Sequence, residues 1–151
     1  MNGVSTKWIA ENEAETEEIA RKLAPMFPPG TVLALIGTLG AGKTRFVRAL
    51  ADVFGHPPET VSSPTYTLLH PYEDGERPIY HFDAYRLENG YQFMQLGPDE
   101  YFEAGGITVI EWADKIEEVL PPNHIEIRIE VLGETKRHFE VRYPDGWAPS
   151  Q

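Results

Sequence analysis

Eight residues constrain this chain more than any others: Gly37-Thr38-Leu39-Gly40-Ala41-Gly42-Lys43-Thr44, set between the apolar run Thr31-Val32-Leu33-Ala34-Leu35-Ile36 and the helix-like segment Lys43 to Phe54. The pattern reads as a phosphate-binding loop. Glycines let a backbone curl without a Cβ clash, so that successive N–H groups can turn toward phosphate oxygens. Lys43 would then reach the β- and γ-phosphates as a point charge, Thr44 would offer its hydroxyl to Mg²⁺, and the helix would aim its positive end at the anion. The same residues could in principle form a glycine-rich turn before an ordinary helix. Context argues against that: a buried-type strand precedes the motif, and Phe46, Val47, Leu50 and Val53 follow at helical spacing against Arg45, Arg48 and Asp52.

What such a loop is attached to is bounded by length and charge. The 151 residues fit a single domain with a real core, residues 1–151, and no composition break marks a linker. With 13 Lys+Arg against 24 Asp+Glu the formal net charge is -11, which opposes unaided docking on the phosphate backbone of a nucleic acid and favours a protein partner. The absence of cysteine excludes disulfides and thiolate metal sites. No run of about 18 apolar residues offers a membrane span, and the N-terminus lacks the basic and apolar regions of a signal peptide. The expectation is a cytoplasmic enzyme.

Along the chain, Val4 to Ala10 reads as a strand, and Asn12 with Glu15 as a capping-box-like start of a helix reaching about Met26, its apolar stripe Ala14, Ile19, Ala20 and Leu23. Glu17 and Glu18 read as a solvated face. Pro28-Pro29-Gly30 turns the chain into the strand before the loop. After Gly55-His56-Pro57-Pro58, the stretch Val61 to Leu69 begins as a hydroxyl-rich loop. Two readings stand side by side: a polar turn pinned by Pro64, or a switch segment that approaches the nucleotide or its metal. Glu73-Asp74-Gly75-Glu76 predicts a hairpin pairing Thr65–Tyr72 with Arg77–Tyr85.

Alternation in His81-Phe82-Asp83-Ala84-Tyr85-Arg86 puts His81, Asp83 and Tyr85 on one face. A solvent-exposed face would explain them, but a strand-end carboxylate such as Asp83 could also orient or deprotonate the water that attacks a γ-phosphate. Short helices are predicted at Tyr91–Leu96 and Asp99–Glu103, split by Gly97-Pro98. The apolar run Ile107 to Ile110 ends in Glu111, the best candidate for a carboxylate holding Mg²⁺ directly or through water. Trp112 reads as core in preference to a nucleotide-facing side chain. Two last strands, His124–Leu132 and Lys136–Tyr143, show one buried and one wet face and are expected to close a sheet edge, with a frayed tail from Asp145.

Four separate pieces, Gly37 to Thr44, Ser63-Pro64-Thr65-Tyr66-Thr67-Leu68, His81-Phe82-Asp83-Ala84-Tyr85-Arg86-Leu87 and Ile110-Glu111-Trp112, resemble in kind, order and spacing the bacterial TsaE proteins, small P-loop ATPases of tRNA threonylcarbamoyladenosine formation. Thr38 stands where that family usually has Asp, and Arg45 where it often has Thr. The resemblance implies a three-layer α/β fold with a mixed sheet, Mg²⁺-dependent hydrolysis of ATP to ADP and phosphate, and action with the protein subunits TsaD and TsaB, tRNA being met only through that complex. By position, it implies that Thr44 and Glu111 are metal-site residues and that Gly37, Thr38, Leu39, Gly40, Ala41, Gly42, Lys43, Thr44 and Arg45 bind nucleotide. Asp83, Lys43 and Thr65 take the catalytic part, Thr65 in the switch-like loop. Glu13 and Arg137 correspond to nucleotide contacts from the two chain ends. Two other readings are a small-molecule or nucleoside kinase, which would need an acceptor pocket and an arginine-bearing lid, and a nucleotide-dependent regulatory module with negligible hydrolysis.

Overall fold

In a computed structural model, which describes residues 5–38, 40–61 and 68–147, seven strands form one mixed sheet. The strands are β1 (Ser5–Ala10), β2 (Val32–Gly37), β3 (Leu69–Tyr72), β4 (Ile79–Asp83), β5 (Ile107–Glu111), β6 (Ile125–Val131) and β7 (Arg137–Arg142). The helices are α1 (Glu13–Leu23), α2 (Lys43–Val53), α3 (Gly90–Met94) and α4 (Pro98–Phe102), with 3₁₀ turns at Ala24–Met26, Pro58–Thr60 and Ala113–Val119. The sheet order is β1-β7-β6-β2-β5-β4-β3. Its centre, β6-β2-β5-β4, is parallel, and its two flanks, β7 with β1 and β3, are antiparallel.

Strands buried on both faces read as continuous apolar runs, and β2 does so. Leu33 and Leu35 join the core under α1 and α2, whereas Val32, Ala34 and Ile36 join a second core with Phe93 of α3 and Ala113 and Ile116 of the last 3₁₀ turn. The result is the expected three-layer α/β arrangement with a mixed sheet. Among the described residues no helix is long and apolar enough to cross a membrane.

Several local expectations shift. Asn12 caps α1 by accepting from the Glu15 N–H at 2.9 Å, but the Glu15 carboxylate returns to the Glu11 N–H at 2.7 Å. Thr16 is buried where Ala14 was expected; Ala14 faces solvent, because the stripe follows the 3.6 period through Ile19, Ala20 and Leu23. Strand β4 ends at Asp83, two residues early, since the Asp83 carboxylate accepts from the Tyr85 N–H at 2.8 Å and turns the chain out of the sheet. Tyr85 therefore leaves the face that His81 and Asp83 share. The hairpin pairs Leu69 with Phe82 and Tyr72 with Ile79; its expected first residues, Thr65 to Thr67, lie outside the described residues.

The final hairpin does not close an edge. Strand β7 is covered by β1, from Ser5 opposite Arg142 to Ala10 opposite Arg137, so β1 is the outer strand there and β3, carrying Pro71, is the other. The predicted alternation in β6 holds, with Ile125, Ile127 and Ile129 buried. The tail is ordered at least to Trp147, which stacks on Tyr143 with ring centroids 4.3 Å apart. An aromatic side chain at that position supplies the packing that a frayed end lacks.

Candidate functional site

Strands β2, β5 and β4 are parallel neighbours, so their carboxyl ends lie at one edge of the sheet, the place where open α/β sheets bind ligands. Gly37 ends β2, Glu111 ends β5 and Asp83 ends β4, with Asp83 directly opposite Glu111 in register. Period-two alternation carries Ile79, His81 and Asp83, and likewise Ile107, Val109 and Glu111, to the side of the sheet that α2 covers. The chain from Gly37 then bends through left-handed Gly40 (φ +79°) and Gly42 (φ +104°) into α2, whose first residues are Lys43 and Thr44.

These elements line a cleft of about 490 Å³, formed by Gly40 to Arg45, Asp83, Tyr85, Glu111 and Trp112. A larger hollow, of about 610 Å³, lies between Pro28, Pro122 and Trp147, against the opposite ends of the strands and away from this chemistry. The cleft joins the residues expected of the phosphate loop to both strand-end carboxylates. Thr38, just before it, is exposed, and Leu39 and Thr65 lie outside the described residues.

Lys43 is 5% exposed and donates from Nζ to the Gly37 carbonyl at 2.6 Å and the Thr38 carbonyl at 2.9 Å. Its ammonium also sits 4.0 Å from the centre of the Trp112 ring. Burial pushes the Lys43 pKa below its ordinary value, opposed by the charges of Glu111, Asp83 and Asp114. An anion arriving here would meet a cation already stripped of most of its water, held by two carbonyls and a ring face.

Trp112 is thus not simply core. It packs partly on the second core, but its backbone adopts φ 58° and ψ 38°, a left-handed conformation costly for a bulky residue, and this turns the indole toward Lys43. Tyr85, 46% exposed, lies beside it with ring centroids 4.9 Å apart at the mouth of the cleft.

Glu111 is the hub of the buried polar groups. Its carboxylate receives the Thr44 hydroxyl at 3.2 Å (Oε2) and 3.5 Å (Oε1), and Oε2 lies 2.5 Å from His81 Nε2. A carboxylate only accepts, so Nε2 is the donor, and Nδ1 on the far side of the ring lies 3.2 Å from the Tyr72 hydroxyl. His81 had no assigned part in the sequence reading. The signal was present, since a histidine inside a parallel strand is buried on both sides and must find polar partners.

The donor set suits a hard cation. Thr44 and Glu111 offer adjacent oxygens, and among the described residues no cluster of three His, Cys, Asp or Glu side chains could cage a metal alone. Mg²⁺ is bound in this way, by one or two protein oxygens with water and substrate phosphates completing the shell.

The residues expected at the chain ends are also brought here. Arg45 pairs with Glu13 and, at 2.9 Å, with Glu17, so Glu17 is tied to the loop helix and not merely solvated. Glu13, Thr16, Gly40 to Gly42, Arg45, Thr135 and Arg137 line a smaller hollow of about 160 Å³ on the outer side of the loop. Arg137 points its guanidinium at backbone: Nε reaches the Ala41 carbonyl at 3.0 Å and Nη2 the Gly40 carbonyl at 3.1 Å.

The family model described as threonylcarbamoyl adenosine biosynthesis protein TsaE matches residues 10–139. A tRNA threonylcarbamoyladenosine biosynthesis protein TsaE from Bacillus subtilis (strain 168) is 44% identical over 133 residues, 88% of this chain and 82% of that protein. A protein of the same name from Rickettsia felis is 40% identical over 129 residues, 85% of this chain and 75% of its own length. Among solved structures, that of Bacillus subtilis YdiB superposes with a TM-score of 0.78 at 36% identity, covering 95% of this chain and 88% of that one.

Proposed function

The chain belongs to the TsaE family, and from that premise we propose that it is a Mg²⁺-dependent ATPase that serves tRNA threonylcarbamoyladenosine formation in the cytoplasm together with the protein subunits TsaD and TsaB. One observation carries the reading. Lys43 and Thr44 at the start of α2, Asp83 at the end of β4 and Glu111 at the end of β5, three places far apart in sequence, converge on one cleft at the carboxyl ends of neighbouring strands.

In this reading the loop backbone and Lys43 hold the β- and γ-phosphates, Lys43 exchanging its carbonyl partners for phosphate oxygens. Thr44 and Glu111 hold the metal ion, which when bound neutralises charge on the phosphates. Asp83, its carboxylate oriented by the Tyr85 N–H, faces the attacking water and takes up its proton. The water oxygen bonds to the γ-phosphorus, the bond to the β–γ bridging oxygen breaks, and ADP and phosphate leave. Glu13 and Arg45 stand beside the nucleotide on the outer side of the loop.

A kinase reading is less well supported. Of the arginines among the described residues, only Arg45 lines the cleft, and it is already ion-paired to Glu13 and Glu17. The net charge of -11 favours contact with tRNA through protein partners. The test is phosphate release from ATP by the purified chain with Mg²⁺, with and without nucleoside acceptors, followed by multiple-turnover tRNA modification with TsaD and TsaB. Asp83→Ala should bind ATP and associate with those subunits yet fail to sustain repeated rounds. Normal multiple turnover by that variant, or acceptor-dependent loss of ATP without phosphate release, would refute the proposal.

A further inference from the structure

A loop that turns its N–H groups toward an anion turns its carbonyls outward, where they need donors of their own. On the outer rim of this loop those donors come from one side chain. Arg137, the first residue of β7, donates from Nε to the Ala41 carbonyl at 3.0 Å and from Nη2 to the Gly40 carbonyl at 3.1 Å. The rest of the guanidinium is held by the turn between β6 and β7: Nη1 donates to the Gly133 and Lys136 carbonyls, both at 2.9 Å, and Nη2 also to the Glu134 carbonyl at 3.3 Å. A guanidinium has five N–H donors, and here there are five carbonyl acceptors.

We infer that Arg137 is a positioning residue that holds the phosphate-binding loop in its anion-ready curl by fastening the Gly40 and Ala41 carbonyls to the β6–β7 turn, and that it is not a contact to the base or ribose of the nucleotide. The turn is itself anchored. Its Thr135 hydroxyl reaches the Glu11 carbonyl at 3.4 Å, and Lys136 pairs with Glu11 at 3.7 Å, so the clamp is braced against the start of α1. Arg45 makes the contrast: its charge is met by the carboxylates of Glu13 and Glu17, whereas the partners of Arg137 are neutral carbonyls. A positive charge fixed on the rim, with no carboxylate paired to it among the described residues, also adds to the field that the phosphates meet. Only the planar fork of arginine can span carbonyls on two separate turns; a lysine keeps the charge but concentrates its donors at one point.

The inference rests on the phosphate-binding reading of the loop, and the test separates the two. Binding of ATP and of inorganic tripolyphosphate is measured calorimetrically at one free Mg²⁺ concentration for the wild type and for Arg137→Lys, with folding followed by circular dichroism. Positioning through the loop predicts that the lysine variant, folded and binding with unchanged stoichiometry, loses affinity for both ligands by the same factor, on the order of tenfold. A loss confined to ATP would make Arg137 a nucleoside contact and overturn the inference. Unchanged affinity for both, with only a lowered melting temperature, would reduce it to a structural staple and overturn it equally. Failure of the wild type to bind either ligand would instead overturn the phosphate-binding reading, and the inference with it.

Discussion

His81 Nε2 and Glu111 Oε2 lie 2.5 Å apart with both side chains buried, His81 on β4 and Glu111 at the end of the adjacent β5. The bond fixes one oxygen of the carboxylate that Thr44 also touches, and so sets the direction in which Glu111 can face a cation. Removing His81 would take from the buried Glu111 Oε2 its shorter donor and leave it the Thr44 hydroxyl at 3.2 Å. His81→Ala is therefore expected to lower unfolding free energy by about 1–3 kcal/mol from the lost bond, with a further loss from the cavity. Urea denaturation checks this, and His81→Gln, which keeps a donor, should recover part of the loss. An unchanged midpoint for His81→Ala would mean that the bond contributes nothing in solution.

Lys43 reaches its carbonyl partners and Trp112 from inside the cleft. Lys43→Ala should abolish nucleotide binding while the chain still folds, since the ammonium bonds the carbonyls of the loop itself and Lys43 belongs to neither apolar core. Trp112 provides a second readout: with its ring 4.0 Å from the ammonium, its fluorescence should change when ATP draws Lys43 onto the phosphates. Intrinsic fluorescence of the wild type tests the second statement, and calorimetric titration of the variant with ATP tests the first. Wild-type affinity in a folded Lys43→Ala protein would contradict them.

Glu111→Gln keeps the shape of the side chain and removes its charge, and Thr44→Ala removes the hydroxyl beside it. Both should raise the Mg²⁺ concentration needed for half-maximal hydrolysis by on the order of tenfold or more while changing nucleotide affinity much less, as expected for groups that meet the metal. Phosphate release across a Mg²⁺ series measures the first quantity and competition binding the second. If both variants keep the wild-type Mg²⁺ dependence, the cation is held elsewhere.

At the foot of the loop, a Cβ on Gly37 would come within 2.8 Å of the Ile129 carbonyl oxygen and 3.1 Å of the Ala41 Cβ. The first is rigid strand backbone, so the loop must move instead. Gly37→Ala should cost about 1–3 kcal/mol of stability, the usual effect of overpacking, and weaken ATP binding as well. Thermal melting with and without nucleotide distinguishes the two effects, and wild-type behaviour in both would show that the loop yields freely.

Features that depend on neighbours along the chain could be read from the residues alone. The loop between a continuous apolar strand and an amphipathic helix, the Asn12 cap, the alternation of β6 and the carboxylates at Asp83 and Glu111 were all legible, because turn chemistry and periodicity are local. The three-layer architecture followed from those elements together with the family resemblance. Tertiary structure alone decided what the distant side chains meet. His81 became a partner of Glu111 only because β4 and β5 lie side by side; alternation gave its face but not what the neighbouring strand would present. Arg137 turned its donors to the carbonyls of Gly40 and Ala41 because β7 begins beside the loop, a proximity across 96 residues to Ala41 that no spacing rule encodes. Trp112, expected in the core, was turned to Lys43 by a left-handed backbone at the strand end. Periodicity assigns a residue to a face, but a hydrogen bond or a cation over a ring depends on which strand lies alongside and how it ends, and those are settled only when the whole sheet has assembled.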